Sequence, residues 1–230
     1  MERLQEKLGY RFRDRTLLTT ALTHPSFGSD HHVAHYQRLE FLGDAVVDLI
    51  MGEYLFAQFP ADDEGKLTKM RASLVCEDAL AGAARKLGLN KYLLLGRGEE
   101  ATGGSLRPSN LADAWEAMCG AIYLSAGIEV LKPVLVKYLE HAIAMVQGGY
   151  YGDYKTRLQE FIQQEPDHTI SYEVLETRGP AHDRDFHVEV QVDGIARGRG
   201  WGKSKKLAQR EAALAALVAY GELPKVEQDQ

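Results

Sequence analysis

Cysteine is scarce in this chain: two in 230 residues, Cys76 and Cys119, neither at a metal-ligand spacing from another thiol. That argues against a disulfide-stapled scaffold; both sit in apolar helical contexts and read as buried, reduced thiols. A long apolar run is missing too. No stretch reaches the roughly 18 residues of a membrane span, and residues 1–7 lack the apolar segment of a signal peptide. The expectation is a cytoplasmic chain with no membrane partner. Positive charge is in deficit, with 27 Lys and Arg against 33 Asp and Glu for a net charge of −6. Taken alone, that counts weakly against a polyanionic partner. The deficit is uneven, because Arg197, Arg199, Lys203, Lys205, Lys206 and Arg210 follow one another with no acidic residue between them. Internal repeats and low-complexity segments are absent. What is present, 45% hydrophobic and 26% charged residues, is an ordinary globular composition, long enough for one large domain or two smaller ones.

The most informative stretch runs from Gln37 to Ile50. It reads as a helix apolar on nearly every side, with Leu39, Phe41, Leu42, Ala45, Val46, Leu49 and Ile50, yet it carries Glu40 and Asp44. Four residues apart, those side chains diverge by only about 40°. Carboxylates with little water must pair, protonate or bind a cation. A second apolar helix begins near Ser109 or Asn110 as its cap and carries Asp113 and Glu116 at i,i+3. Its small residues, Ala112, Ala114, Ala117, Gly120 and Ala121, permit a close approach to the first helix. Packed face to face, the two converge four carboxylates, an all-oxygen set that suits Mg²⁺ or Mn²⁺ rather than zinc or copper. Asp48 has drifted about 80° from Glu40 and reads as structural.

Around these two helices the remaining pattern is helical as far as about residue 147. The periodicity predicts helices ending at Gly9, over 16–23 with Asp14 as cap, on to about 59 for the first acidic helix, over 67–75 and 77–87, and over 128–145. Residues 28–35 read as a loop, and His31, His32 and His35 within it as solvated rather than metal-binding. Residues 93–104 read as a second loop. Gln147-Gly148-Gly149-Tyr150-Tyr151-Gly152 is the best domain boundary, a flexible joint over 148–152. Beyond it the pattern becomes helix (154–164), strands (171–175, 186–192 and a short one over 195–198) and an alanine-rich helix from Lys203 to Tyr220. Asp193-Gly194 supplies the hairpin turn. Residues 1–147 and 153–222 thus form two domains, with a polar tail over 223–230.

The run Arg38-Leu39-Glu40-Phe41-Leu42-Gly43-Asp44, with Leu111-Ala112-Asp113 through Glu116 and Gly120-Ala121-Ile122-Tyr123-Leu124, resembles the signature of bacterial ribonuclease III. So do Ala21-Leu22-Thr23-His24, Asp63-Glu64-Gly65 and Met70-Arg71-Ala72-Ser73-Leu74-Val75. The α-β-β-β-α order and Gly200-Trp201-Gly202-Lys203-Ser204-Lys205-Lys206 resemble a double-stranded-RNA-binding domain. The resemblance covers nearly the whole chain. It implies an all-α catalytic (endonuclease) domain followed by a small α+β double-stranded-RNA-binding domain, together a Mg²⁺-dependent endoribonuclease, with Mn²⁺ as a substitute. It further implies that Glu40, Asp44, Asp113 and Glu116 hold the metal and that Asp44 and Glu116 are the residues usually called catalytic. The products would carry 5′-phosphate and 3′-hydroxyl ends, and the substrates would be rRNA precursors and other structured transcripts.

The same resemblance makes Phe41, otherwise a core residue, a knob inserted into a second subunit. The resulting twofold homodimer cuts both strands with a stagger. It puts Glu64 beside the catalytic valley and Lys66, Lys69 and Arg71 near phosphates. In the second domain Gln159, Glu160 and Gln163 and the loop containing His182 would meet two minor grooves, while Lys203, Ser204, Lys205 and Lys206 would meet phosphates of the major groove between them. Against these stand ordinary solvated faces, although cations at a helix N-terminus are disfavoured by the dipole unless an anion is present. Gln37, Ser125 and Pro25 depart from the residues frequent in the family. A non-catalytic duplex-RNA scaffold is the main alternative, and it gains nothing from four converging carboxylates. A carboxylate-bridged helical metalloprotein lacks the Glu-x-x-His pairs it would need.

Overall fold

The computed structural model describes residues 1–165, 167–180 and 184–223. It divides into two compact units, Met1–Val146 and Gln147–Gln230, which are taken separately.

The first unit is helical throughout. Helix α1 (Glu2–Leu8) stops at Gly9, which takes the left-handed conformation. Helix α2 (Arg15–Ala21) starts where the Asp14 carboxylate accepts the Thr16 N–H at 2.8 Å. The first half of the stretch expected as a loop over 28–35 is instead helical, as the end of α3 (Pro25–His31). Proline at the first helical position forfeits no hydrogen bond, and His24 Nδ1 accepts the Ser26 N–H at 3.0 Å, so the sequence that looked like a break is a helix start. Then come α4 (Gln37–Gln58), α5 (Glu64–Leu74) and α6 (Glu77–Leu87). The second expected loop contains α7 (Arg97–Ala101) and a 3-10 turn (Gly104–Leu106). Helix α8 (Pro108–Ala126) is capped by neither Ser109 nor Asn110. Arg107 occupies the cap, Pro108 opens the helix, and the buried Asn110 amide donates to Glu99 at 2.7 Å and to the Gly104 carbonyl at 3.0 Å. The single helix expected over 128–145 is two, α9 (Ile128–Tyr138) and α10 (Glu140–Gln147). At the break the Lys86 ammonium donates to the Lys137 carbonyl at 2.8 Å, a group that a continuous helix would have used internally, and to the Glu140 carboxylate at 2.7 Å. Ser125 accepts the Tyr10 hydroxyl at 2.6 Å.

Two expectations about burial change. Cys119 is buried, but Cys76 is exposed at the start of α6. Helix α4 is not covered all round: Phe41 is 82% exposed, Leu49 60% and Phe56 75%, while its opposite face, through Val47, Ile50, Met51 and Leu55, is in the core. The close contact of α4 with α8 turns on two glycines. A Cβ on Gly43 would lie 1.8 Å from the Glu116 carbonyl oxygen, and one on Gly120 would lie 2.3 Å from that of Leu39. Each helix presents its glycine to the other's backbone, so no side chain separates the axes there.

In the second unit α11 (Tyr154–Ile162) is capped by Asp153, whose carboxylate accepts the Lys155 N–H at 2.9 Å. Strands β1 (Ile170–Arg178), β2 (Asp185–Val192) and β3 (Ile195–Gly202) form an antiparallel sheet in that order, covered by α12 (Lys205–Ala219). The third strand is twice the expected length. Its alternating Gly198, Gly200 and Gly202 look like turn residues, yet a Cβ at each would lie within 2.3–2.5 Å of α12 backbone atoms. They pair with Val190, Val188 and Phe186 and let the helix lie directly on the strand. In the joint over 148–152, the Gly149 carbonyl accepts from Arg157 at 2.9 Å.

Gly43→Ala is expected to cost about 3 kcal/mol in urea unfolding, because the clash is with backbone on both sides. Gly82→Ala, at an exposed position of α6 with nothing within 4 Å of the new Cβ, is expected to gain about 0.5–1 kcal/mol.

Candidate active site

Helix α4 delivers Glu40 from its first turn and α8 delivers Asp113 and Glu116 from its second and third. One carboxylate oxygen from each of these three half-buried residues lies within 4.8 Å of the others. Asp44 is exposed and stands outside this close group, but its charge reaches it. Burial raises the Glu40 pKa, with further contributions from Asp113 and then Asp44. Burial likewise lifts Glu116, helped by Asp44, Asp113 and Glu40, from 4.5 to about 8. Asp113 is raised chiefly by burial and opposed by the Tyr36 hydroxyl, which donates to its Oδ2 at 3.5 Å. The structure therefore brings three of the four expected carboxylates together and holds the fourth within electrostatic range. Uncompensated negative charge of this kind, built from oxygen donors alone, fits a hard divalent cation.

Other expected residues are not members of this close group. Glu64 is exposed at the first position of α5 and accepts the Thr68 hydroxyl at 3.1 Å. Lys66 donates to Asp62 at 2.6 Å, and Arg71 pairs with Asp48 at 3.6 Å, in keeping with a structural part for Asp48. Phe41 points away from the core and, at 82% exposure, is not a packing residue of this unit. Two residues near the site escaped the sequence reading. Glu77, at the start of α6, adds negative charge near Asp113, and nothing in the sequence ties a residue so far from Asp113 to it. Tyr36 abuts the signature, and its tyrosine beside an acidic run was the signal available.

In the second unit Gln159 and Gln163, on one side of α11, line a polar groove of about 340 Å³ with Lys155, His168, Ile170 and Tyr172. The Lys155 ammonium lies over the Tyr172 ring at 4.7 Å and donates to Gln209 at 2.7 Å. Glu160 is exposed on the same helix. Ser204 caps α12 by accepting the Leu207 N–H at 3.2 Å. Lys203 pairs with Asp185 at 3.1 Å, and Lys205 and Lys206 are exposed on the first turn of α12. His182 lies outside the described residues.

A helical domain that gathers acidic side chains between two closely packed helices, followed in the chain by a three-stranded sheet flanked by helices, defines a nuclease domain joined to a duplex-RNA reader. Comparison with known proteins narrows this. Residues 14–142 match the family described as ribonuclease-III-like and residues 154–218 the double-stranded RNA binding motif. Ribonuclease 3 of Pelotomaculum thermopropionicum is 46% identical over 219 residues, covering 94% of this chain and 91% of its own. Ribonuclease 3 of Streptococcus pyogenes is 43% identical over 233 residues, covering 97% of this chain and 100% of its own. The nuclease domain of ribonuclease III from Campylobacter jejuni, described with flexibility in a region involved in dimer formation, superposes with a TM-score of 0.58 at 47% identity. It covers 61% of this chain and 96% of that domain. The chain belongs to the ribonuclease III family and is a double-strand-specific endoribonuclease. No helix among the described residues is long and apolar enough to cross a membrane.

Without metal, the folded site keeps a proton on Glu116 that the unfolded chain releases, since its pKa is about 8 when folded and 4.5 otherwise. Stability must then fall as pH rises across that window. Calorimetric melting in EDTA from roughly pH 5 to 9 is expected to show this decline, and Glu116→Gln, which cannot ionise, to flatten it.

Proposed function

We propose that this enzyme hydrolyses phosphodiester bonds of double-stranded RNA with Mg²⁺ held by Glu40, Asp113 and Glu116, and with Asp44 completing the set. The observation that carries this reading is the convergence of three half-buried carboxylates with no nitrogen or sulfur donor among them. Bound there, Mg²⁺ (or Mn²⁺) supplies a water of lowered pKa and a counter-charge for the phosphate. The protein's part is to hold the ligands. Glu116, the most strongly perturbed of them, is the indispensable one, and Asp44 and Glu116 are the residues nearest the chemistry. Water attack on phosphorus with departure of the 3′ oxygen leaves 5′-phosphate and 3′-hydroxyl ends.

Duplex RNA is recognised by its A-form shape. Gln159, Glu160 and Gln163 take one minor groove and the loop carrying His182 the next. Lys203, Ser204, Lys205 and Lys206 take the phosphates between, where the α12 N-terminus adds favourable N–H groups. The enzyme acts as a homodimer. Phe41, Leu49 and Phe56 fall within about 80° of one another around α4, an exposed apolar stripe of the sort that a subunit interface covers. Two sites related by a twofold axis make staggered cuts in the two strands. Glu64 supports the valley from α5. The setting is cytoplasmic processing of rRNA precursors and other structured transcripts.

Cleavage of a long perfect duplex tests this directly. The native chain is expected to cut with Mg²⁺ and not in EDTA. Glu116→Gln is expected to bind the duplex as the native chain does but to cut at least about a thousandfold more slowly, roughly 4 kcal/mol of lost transition-state stabilisation. Cutting by the native chain in EDTA would refute the metal reading. Phe41→Ser is expected to give a monomer by sedimentation while keeping a folded far-ultraviolet circular dichroism spectrum, because the ring makes little contact within its own chain.

A further inference from the structure

We infer that Tyr36 is a positioning residue for the metal ligands: its hydroxyl fixes Asp113 while its backbone starts the helix that carries Glu40. Two independent features place it there. Its side chain is 2% exposed, and its hydroxyl donates to Asp113 Oδ2 at 3.5 Å, joining the residue before α4 to the second turn of α8. Its carbonyl oxygen accepts the Leu39 and Glu40 N–H groups at 2.8 and 2.9 Å, so the same residue sets the position of the facing ligand.

The ring is itself immobilised. The Tyr36 N–H donates to the Thr23 carbonyl at 2.9 Å. The His24 ring meets the tyrosine edge-on, with centroids 5.6 Å apart at 82°, and is held by Ser26 at 2.7 Å. Thr23 and His24 are fastened in turn to residue 94, where the His24 N–H donates to the Leu94 carbonyl at 3.0 Å. The phenol held in this way reaches one Asp113 oxygen at 3.5 Å, a long hydrogen bond that biases the orientation of the carboxylate. Outer hydrogen bonds of that kind commonly set ligand orientation and tune metal affinity by tenfold or more. Removing the hydroxyl lets the Asp113 carboxylate rotate without changing the charge of the site.

This inference rests on the reading of Asp113 as a metal ligand, and the test separates the two. Mn²⁺ binding to the full-length native chain, Tyr36→Phe, Asp113→Asn and the double variant is followed by the electron paramagnetic resonance signal of the free ion. Cleavage is measured in parallel across Mg²⁺ concentrations. Tyr36→Phe is expected to weaken Mn²⁺ binding about five- to tenfold and to raise the Mg²⁺ concentration for half-maximal rate by a similar factor, with kcat at saturating metal within about twofold of native. In the Asp113→Asn background the same change is expected to have no further effect, which a role confined to packing would not produce. Native-like Mn²⁺ affinity in Tyr36→Phe alongside a loss in Asp113→Asn overturns the inference and leaves the metal reading standing. So does an equal loss in both backgrounds. Native-like affinity in Asp113→Asn overturns the reading of Asp113 as a metal ligand, and the inference with it.

Discussion

The contact between α4 and α8 is the constraint on which the nuclease domain depends. With Gly43 against the Glu116 carbonyl and Gly120 against that of Leu39, the two helices approach until backbone meets backbone. Only at that separation do side chains one turn either side of the glycines meet as well. Glu40 precedes Gly43 by three residues, and Glu116 precedes Gly120 by four. The glycines and the carboxylates are therefore one device read twice along each helix. The glycines set the distance, and the helical period sets which side chains converge. A wider spacing would leave Glu40 and Glu116 as two unrelated surface acids.

That proximity is electrostatically unfavourable in the absence of a counter-charge. Glu116 is desolvated and faces three other carboxylates, which is why its pKa stands near 8. Such a site survives because the hydrophobic contacts around it are extensive. Leu111, Trp115 and Met118 on α8, and Val47, Ile50 and Met51 on α4, are almost fully buried on the same two helices. Stability accumulated in the core offsets a local penalty at the site, and the penalty is what gives the site its appetite for a cation.

Much of this was legible in the sequence, and the misses have physical reasons. The acidic pairs at i,i+4 and i,i+3 announced their helices and facing sides because the helical period is rigid. The same periodicity located α4, α6 and α12 to within two residues. It failed where one residue has two structural uses. Pro25 breaks a helix from within but starts one at the first position, so residues 28–31, the second half of α3, look like loop. Gly198, Gly200 and Gly202 mark turns in most settings, yet here they admit α12 onto β3. Leu49 reads as part of an apolar surround and Phe41 as either core or a subunit contact, yet both are exposed, because composition records hydrophobicity and not what covers it. At the break near Leu139 a carbonyl is met by Lys86, some fifty residues away in the chain, and no local pattern carries that. Asp44 shows the same limit at the site: shared direction with Glu40 was readable, while its greater exposure depends on what packs above it.

The two domains pose opposite electrostatic problems that share one solution. The nuclease domain concentrates carboxylates where a polyanionic substrate must approach, so unaided it repels what it cuts. The α12 N-terminus concentrates Lys205 and Lys206 where the helix dipole already supplies positive potential, so unaided it repels its own side chains. A bound divalent cation would relieve the first and a row of phosphates the second. On the proposed reading, a protein of net charge −6 acts on RNA without an overall attraction, with a basic helix terminus supplying affinity and a carboxylate cluster reactivity. The arrangement also separates the two properties. Removing a carboxylate should spare duplex binding, and neutralising a lysine should spare the chemistry, since the two groups belong to different compact units.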